Sequence, residues 1–191
     1  MKVGLFFGSF NPIHIGHLAL ANYFIEYTDL EQIWFVVTPH NPLKPKSSLL
    51  NDYKRLELVQ LAIEDFAKFK SSKIEFDLPQ PNYTVHTLAH LKEKHPEHEF
   101  VLIMGEDNLD GLEKWKNYKV ILDQYEIYTY PRPGISTKKF SDHPHVKIMD
   151  APMIEISSTF IRDSIKNKKD IRFFLPEKVW KYIDDYHLYK K

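Results

Sequence analysis

Three short, nearly continuous apolar runs, KVGLFF (2–7), QIWFVVT (32–38) and FVLIMG (100–105), set the strongest limit on how this chain folds. Each is rich in β-branched and aromatic residues and bounded by turn signals, the pattern of strands covered on both faces. Between the first two lies HLALANYFIEYT (17–28), with apolar residues at helical spacing. Strand, helix and strand in that order form a parallel crossover unit, which is right-handed. The alternation continues with a helix over 52–68, a strand around KIEF (73–76), a helix over about 84–93, a helical stretch around 108–122 and a strand over 125–130. A PRPG turn, a strand around HVKIMD (145–150) and helices near 158–168 and 176–186 complete it. This order predicts an α/β fold: a parallel sheet flanked by helices, with a helical C-terminal segment, in a single domain over 1–191.

Binding sites in such sheets lie outside the carboxyl ends of the strands. The loops at 8–14, 38–46, 77–83 and 105–115 all fall at that edge. Any anion bound there must be captured locally, because 26 Lys and Arg balance 26 Asp and Glu and no global field draws in a polyanion. The same balance, with no basic stripe, argues against a nucleic-acid partner. The absence of cysteine excludes a disulfide framework, a thiolate nucleophile and thiolate zinc sites. No apolar run approaches the roughly 18 residues of a membrane span, and the first residues lack a cleavage signature, so a cytoplasmic protein without a membrane partner is expected. Oligomeric state is left open, a homo-oligomer included.

The loop after the first strand reads GSFNPIHIGH (8–17). Gly8 permits a turn and a close approach of ligand to backbone. His14 and His17, three apart at the start of a helix, share a face, and Gly16 keeps the first turn bare. A helix start offers unpaired amides and a positive dipole end, which suit phosphate, and two imidazoles add donors without a permanent charge. The G-x-x-x-x-G-K-[ST], G-x-G-x-x-G and G-x-S-x-G patterns are all absent. Near the other end, in ISSTFIRDSIKN (156–167), Ser157 and Ser158 are natural N-caps. Phe160 and Ile161 stand where a capping box would place Glu or Gln, which leaves the first-turn amides for an external anion. Arg162, a turn in, can reach that anion with its forked donors.

GSFNPIHIGH resembles the G-[ST]-F-D-P-x-H-x-G-H signature of the nucleotidylyltransferase superfamily, with Asn11 where the family often has Asp, and ISSTFIR resembles its ISST-x-[IL]-R motif. The resemblance implies a Rossmann-like fold. It also implies that Gly8, Ser9, Phe10, Gly16, Ser157, Ser158 and Thr159 bind ATP, with His14, His17 and Arg162 stabilising the reacting phosphates. Four intermediate segments are similar to those of the bacterial nicotinate-nucleotide adenylyltransferases. PHNPLK (39–44) would make Lys44 a phosphate contact. NYTVHTL (82–88), with His86 in place of the usual Asp, would line a nicotinate pocket with Tyr83, Thr84 and Val85. MGEDNLDGLEKWKNY (104–118) would place Gly105 and Asp107 beside the nucleotides and stack Trp115 on the pyridine ring, where a flat ring needs contact area more than hydrogen bonds. Backbone amides of Val85 and Lys116 would receive the ring carboxylate, and Arg132 of YPRPG (130–134) would be a second phosphate contact.

The implied reaction joins ATP and nicotinate mononucleotide into deamido-NAD and pyrophosphate, with Mg²⁺ held mainly by the ATP phosphates and no protein metal site. Another adenylyltransferase of the superfamily, such as phosphopantetheine adenylyltransferase, and a nucleotide-binding sensor without turnover are the alternatives. His86 and His90 are spaced i, i+4, yet neither H-E-x-x-H nor a third ligand accompanies them.

Overall fold

The computed structural model describes residues 1–39 and 49–190. Its strands are β1 (Lys2–Gly8), β2 (Gln32–Val37), β3 (Phe69–Ser72), β4 (Glu99–Gly105), β5 (Glu126–Tyr130) and β6 (Val146–Ile148). They form one parallel sheet in the order β3-β2-β1-β4-β5-β6. The continuous apolar runs are explained by alternation against two cores. In β1, Val3 and Leu5 face one cluster while Phe6 faces the other; in β4, Leu102 and Met104 oppose Val101 and Ile103. On one face α1 (Ile15–Tyr27), α2 (Asp52–Ile63), α6 (Ser158–Lys166) and α7 (Glu177–Asp185) bury Phe24, Leu58, Ile161 and Val179. On the other, α3 (Thr84–Lys94), α4 (Glu106–Asp110) and α5 (Tyr118–Gln124) bury Leu88, Leu109 and Ile121. No helix among the described residues is long and apolar enough to cross a membrane.

Two expected elements differ. KIEF is not a strand: the pairing segment is Phe69–Ser72, and Ile74–Asp77 form a short 3₁₀ turn. An edge strand needs an apolar residue on only one face, so FKSS carries little periodic signal, whereas the apolar residues of KIEF seat a turn that buries Glu75. The helix expected over 52–68 ends at Ile63, before the turn that brings Phe69 alongside β2.

The strand order reverses between β1, which connects outward to β2, and β4. Their carboxyl ends diverge there, opening a crevice between the loop after Gly8 and the helix that starts at Glu106. At the opposite edge, Lys2 Nζ contacts Asp29 (2.8 Å), Glu126 (3.0 Å) and Glu99 (3.6 Å), and so ties the starts of β1, β4 and β5 to the end of α1. Burial works against the charge of Asp29, but hydrogen bonds from Lys2 and Tyr128 outweigh it and bring its pKa down to about 2. A carboxyl depressed in this way gives stability that is present above its unfolded pKa, 3.8, and is lost as pH falls through about 2. Asp29→Asn is therefore expected to flatten the fall in stability across that window, followed by urea denaturation at stepped pH. Equal slopes for variant and parent would refute the assignment.

Candidate active site

The stretch after β1 reaches α1 through a tight loop. Phe10 takes a left-handed backbone (φ 43°) and turns its ring inward, where it is 1% exposed against Phe6, His17 and Phe35. That ring fills the space of a side chain at Gly8: a Cβ there would lie 2.8 Å from Phe10 Cζ. Gly8 thus also makes room for Phe10, a packing role the sequence did not suggest. Gly16 makes room for His14, whose Nδ1 would lie 3.0 Å from an added Cβ.

His14 caps α1 and its ring stacks on that of His17, with centroids 3.7 Å apart. The His14 amide donates to His17 Nδ1 (3.2 Å). An accepting Nδ1 places the proton of a neutral imidazole on Nε2, so His17 is held as an Nε2–H donor. Burial, reinforced by Arg132, lowers the His14 pKa to about 4. Burial, His14 and Arg132 together push that of His17 well below its usual value. Both rings are neutral at pH 7.

Arg132, expected as a second phosphate contact, follows the end of β5, and its charge acts on both imidazoles. Its guanidinium lies over the Tyr130 ring (5.2 Å), and Nε is 3.4 Å from Asp107 Oδ1. The pair crosses bare Gly105, where a Cβ would meet both side chains. Arg132 Nε and His14 Nδ1 are buried without a hydrogen-bond partner.

The two sequence anchors meet. Ser158 Oγ donates to the Pro12 carbonyl (2.9 Å), and Arg162 donates to the Asn11 carbonyl (2.9 Å) and Thr159 Oγ1 (3.3 Å). Ser157 Oγ accepts from the Phe160 amide (3.1 Å), so that first-turn amide is capped, contrary to the expectation. A serine hydroxyl reaches it without any capping-box partner.

A second group lies over the other face. Thr84 and Val85 open α3 behind Tyr83, whose side chain does not cap it. Lys116 Nζ sits 4.6 Å above the Tyr83 ring, and half-buried Trp115 packs with Tyr83 against the same core. Lys44 falls outside the described residues. His86 is exposed and meets Tyr83 edge-on (5.7 Å).

Among the described residues, the one group of three ligating side chains in mutual reach is His95, Glu97 and His98. It lies just before β4, at the far end of the sheet from the crevice. The crevice carboxylate Asp107 is engaged by Arg132.

A cytidylyltransferase-like family model matches residues 5–164. A Flavobacterium psychrophilum protein named as a probable nicotinate-nucleotide adenylyltransferase is 62% identical over 193 residues, covering 100% of both chains. The chain belongs to that family. A relative of the same name from Bacteroides fragilis is 52% identical, with 95% of this chain and 90% of its own covered. In fold, this adenylyltransferase-family chain is similar to the Plasmodium falciparum nicotinic acid mononucleotide adenylyltransferase complexed with NaAD. That match has a TM-score of 0.82 at 19% identity, over 98% of this chain and 97% of the other.

Of two residues that hold this family member's crevice together, Arg55 was not singled out from its sequence, and Asn11 was noted only as a departure from the motif. Arg55, fully buried, donates to the carbonyls of Ser9, Leu50 (3.0 Å), Thr38 (3.0 Å) and Pro39 (3.3 Å) and to Asp52 Oδ1 (2.6 Å). It clamps the loops after β1 and β2 to the start of α2. Asn11, 2% exposed, accepts at Oδ1 from the Leu50 amide (3.2 Å) and the Tyr189 hydroxyl (2.9 Å). A lone Arg or Asn offers no periodic signal; only its invisible partners reveal the role.

Arg55→Lys, which keeps the charge but not the fork, is expected to cost about 3 kcal/mol in chemical denaturation, since breaking a buried charged network leaves several groups unpaired. A loss under about 1 kcal/mol would contradict the clamp. In NMR titration, the ring signals of His14 and His17 should stay flat from pH 8 to 5.5, since the His14 proton is taken up only near pH 4. Movement centred near pH 6.5 would show that the rings are not held neutral.

Proposed function

We propose that the chain, acting as one unit over residues 1–191, transfers the adenylyl group of ATP to nicotinate mononucleotide, releasing pyrophosphate and deamido-NAD. The observation that supports this best is the buried His14 Nδ1, which has no hydrogen-bond partner, beside the Arg132 guanidinium whose charge acts on both imidazoles. Buried polar groups are normally satisfied, so an open imidazole nitrogen beside a helix start and a cationic side chain suits a polyanionic ligand. The names of the relatives supply the acceptor: they are nicotinate-nucleotide adenylyltransferases, and the structurally similar Plasmodium enzyme is described with NaAD.

In this reading a phosphate oxygen of nicotinate mononucleotide attacks the α-phosphorus of ATP in line, and the bond to the β-phosphate oxygen breaks. The protein positions two anions and neutralises charge on the leaving pyrophosphate. His17 Nε2–H, His14, the loop from Gly8 to Phe10, the helix start at Ser157 to Thr159, and Arg162 act on the ATP side. Neutral imidazoles fit that task, because they donate without demanding a desolvated charge in the empty site. Gly105 and Asp107 border the nucleotide, and Arg132 and Lys44 contact phosphate. Mg²⁺ would be held mainly by the ATP phosphates, where it would offset their charge. Tyr83, Thr84 and Trp115 hold the pyridine ring, while the Val85 and Lys116 amides receive its carboxylate. The protein works in the cytoplasm and makes no use of nucleic acid.

Pyrophosphate release with Mg²⁺-ATP tests the reading when nicotinate mononucleotide, nicotinamide mononucleotide and phosphopantetheine are offered in parallel. Strong preference for the first is expected. Release with phosphopantetheine alone would overturn the acceptor, and ATP binding without release would point to a sensor. His17→Ala should lower kcat about 100- to 1000-fold, the usual loss for one preorganised donor, with an unchanged far-UV spectrum.

A further inference from the structure

We propose that Tyr189, at the C-terminal end of the chain, is a positioning residue of the nucleotide site and acts through Asn11. The inference rests on the reading above of the crevice as the ATP end of the site.

The geometry begins where α7 ends. His187 takes a left-handed backbone (φ 53°), its amide donates to the Asp184 carbonyl (3.1 Å), and the Leu188 amide donates to that of Ile183 (3.0 Å). This is the helix-ending pair of bonds in which glycine usually holds the left-handed position. Tyr189 is left-handed as well (φ 62°). Two such residues in three steps fold the tail back on the molecule, and Leu188 and Tyr189 come to rest against the core shared by α1 and α6. A tail that merely covered apolar surface would need no polar terminus. Here the phenol instead reaches a residue 178 positions away and donates to Asn11 Oδ1 (2.9 Å). Burial raises the Tyr189 pKa, against the opposing pull of Arg162 and Arg55, so the hydroxyl keeps its proton at neutral pH and the direction of the bond is settled.

Asn11 is where a shift would be felt by the phosphate ligands. Its carbonyl receives Arg162, the next carbonyl receives Ser158, and His14 follows two residues later. Holding the Asn11 side chain from behind therefore fixes the loop on which both anchors converge. Asn in this position also matters electrostatically. A neutral amide accepts from Tyr189 and Leu50 while Arg162 donates to the residue 11 backbone carbonyl and to Thr159 Oγ1, so no carboxylate at residue 11 offsets the Arg162 charge that a phosphate would meet.

Tyr189→Phe keeps the ring and removes only the hydroxyl. One lost hydrogen bond in a buried network corresponds to about a 3- to 10-fold change. The KM for Mg²⁺-ATP should rise by that factor, as should the dissociation constant for ATP measured calorimetrically without acceptor. The KM for nicotinate mononucleotide should stay within about twofold. In an Asn11→Ala background the same substitution should have no further effect on ATP affinity, because its only route is gone. Unchanged ATP affinity in Tyr189→Phe, or a lower melting temperature with both KM values intact, would overturn the proposal by showing a purely structural tail. An additive effect in the Asn11→Ala background would equally overturn it. Since ATP affinity is read without acceptor, a wrong acceptor leaves this result standing, whereas a parent chain that binds no ATP would sink the reading of the crevice itself.

Discussion

Five hydrogen-bond donors on one buried guanidinium set the shape of the sheet's carboxyl edge. Arg55 is spent on the backbone of the loops that follow β1 and β2 and on the entrance to α2. Loop carbonyls at a strand end have no ladder partners, and burying them unpaired would cost more than the hydrogen bonds return. A planar fork with fixed directions solves that problem once for several carbonyls, which Lys or a hydrophobic residue would not do. The loop bearing Phe10, Asn11 and His14 is rigid because its first carbonyl, at Ser9, is anchored there.

From that anchor the remaining contacts follow as a chain. Phe10 turns inward and supports the His17 ring; His17 is oriented by the His14 amide; Asn11 and Pro12 receive Arg162 and Ser158 from α6; Tyr189 closes the group from the C-terminal end. The electrostatics are local throughout. The chain has no net charge, and Arg132, Arg162 and the neutral imidazoles, the groups proposed to capture the anion, gather at the point where the strand order reverses. At the opposite edge the charges pair with one another, in the Lys2 cluster that fastens it.

Much of this was legible in the sequence. The runs 2–7, 32–38 and 100–105 became β1, β2 and β4 because strands buried on both faces must be apolar throughout, a constraint no surrounding context can relax. GSFNPIHIGH and ISSTFIR were readable as two halves of one site, and Ser158 and Arg162 do bond to the first loop. The edge strand Phe69–Ser72 was not legible, since one covered face leaves too weak a pattern. Gly8 was read for its freedom toward ligand, while the space it leaves belongs to Phe10, a packing fact that only the folded loop contains.

By itself, then, the sequence determined the parallel α/β architecture and the residue types able to meet a polyphosphate, because both are written in local spacing: apolar period, helix-start chemistry, turn residues. Only the tertiary structure decided which nitrogen of His17 carries the proton, that Arg132 pairs with Asp107 across Gly105, and that Arg55 and Tyr189 bond to the loops around Asn11. Most of those depend on partners far along the chain, and even the local bond from the His14 amide to His17 has its direction and burial only once the loop has folded against the core.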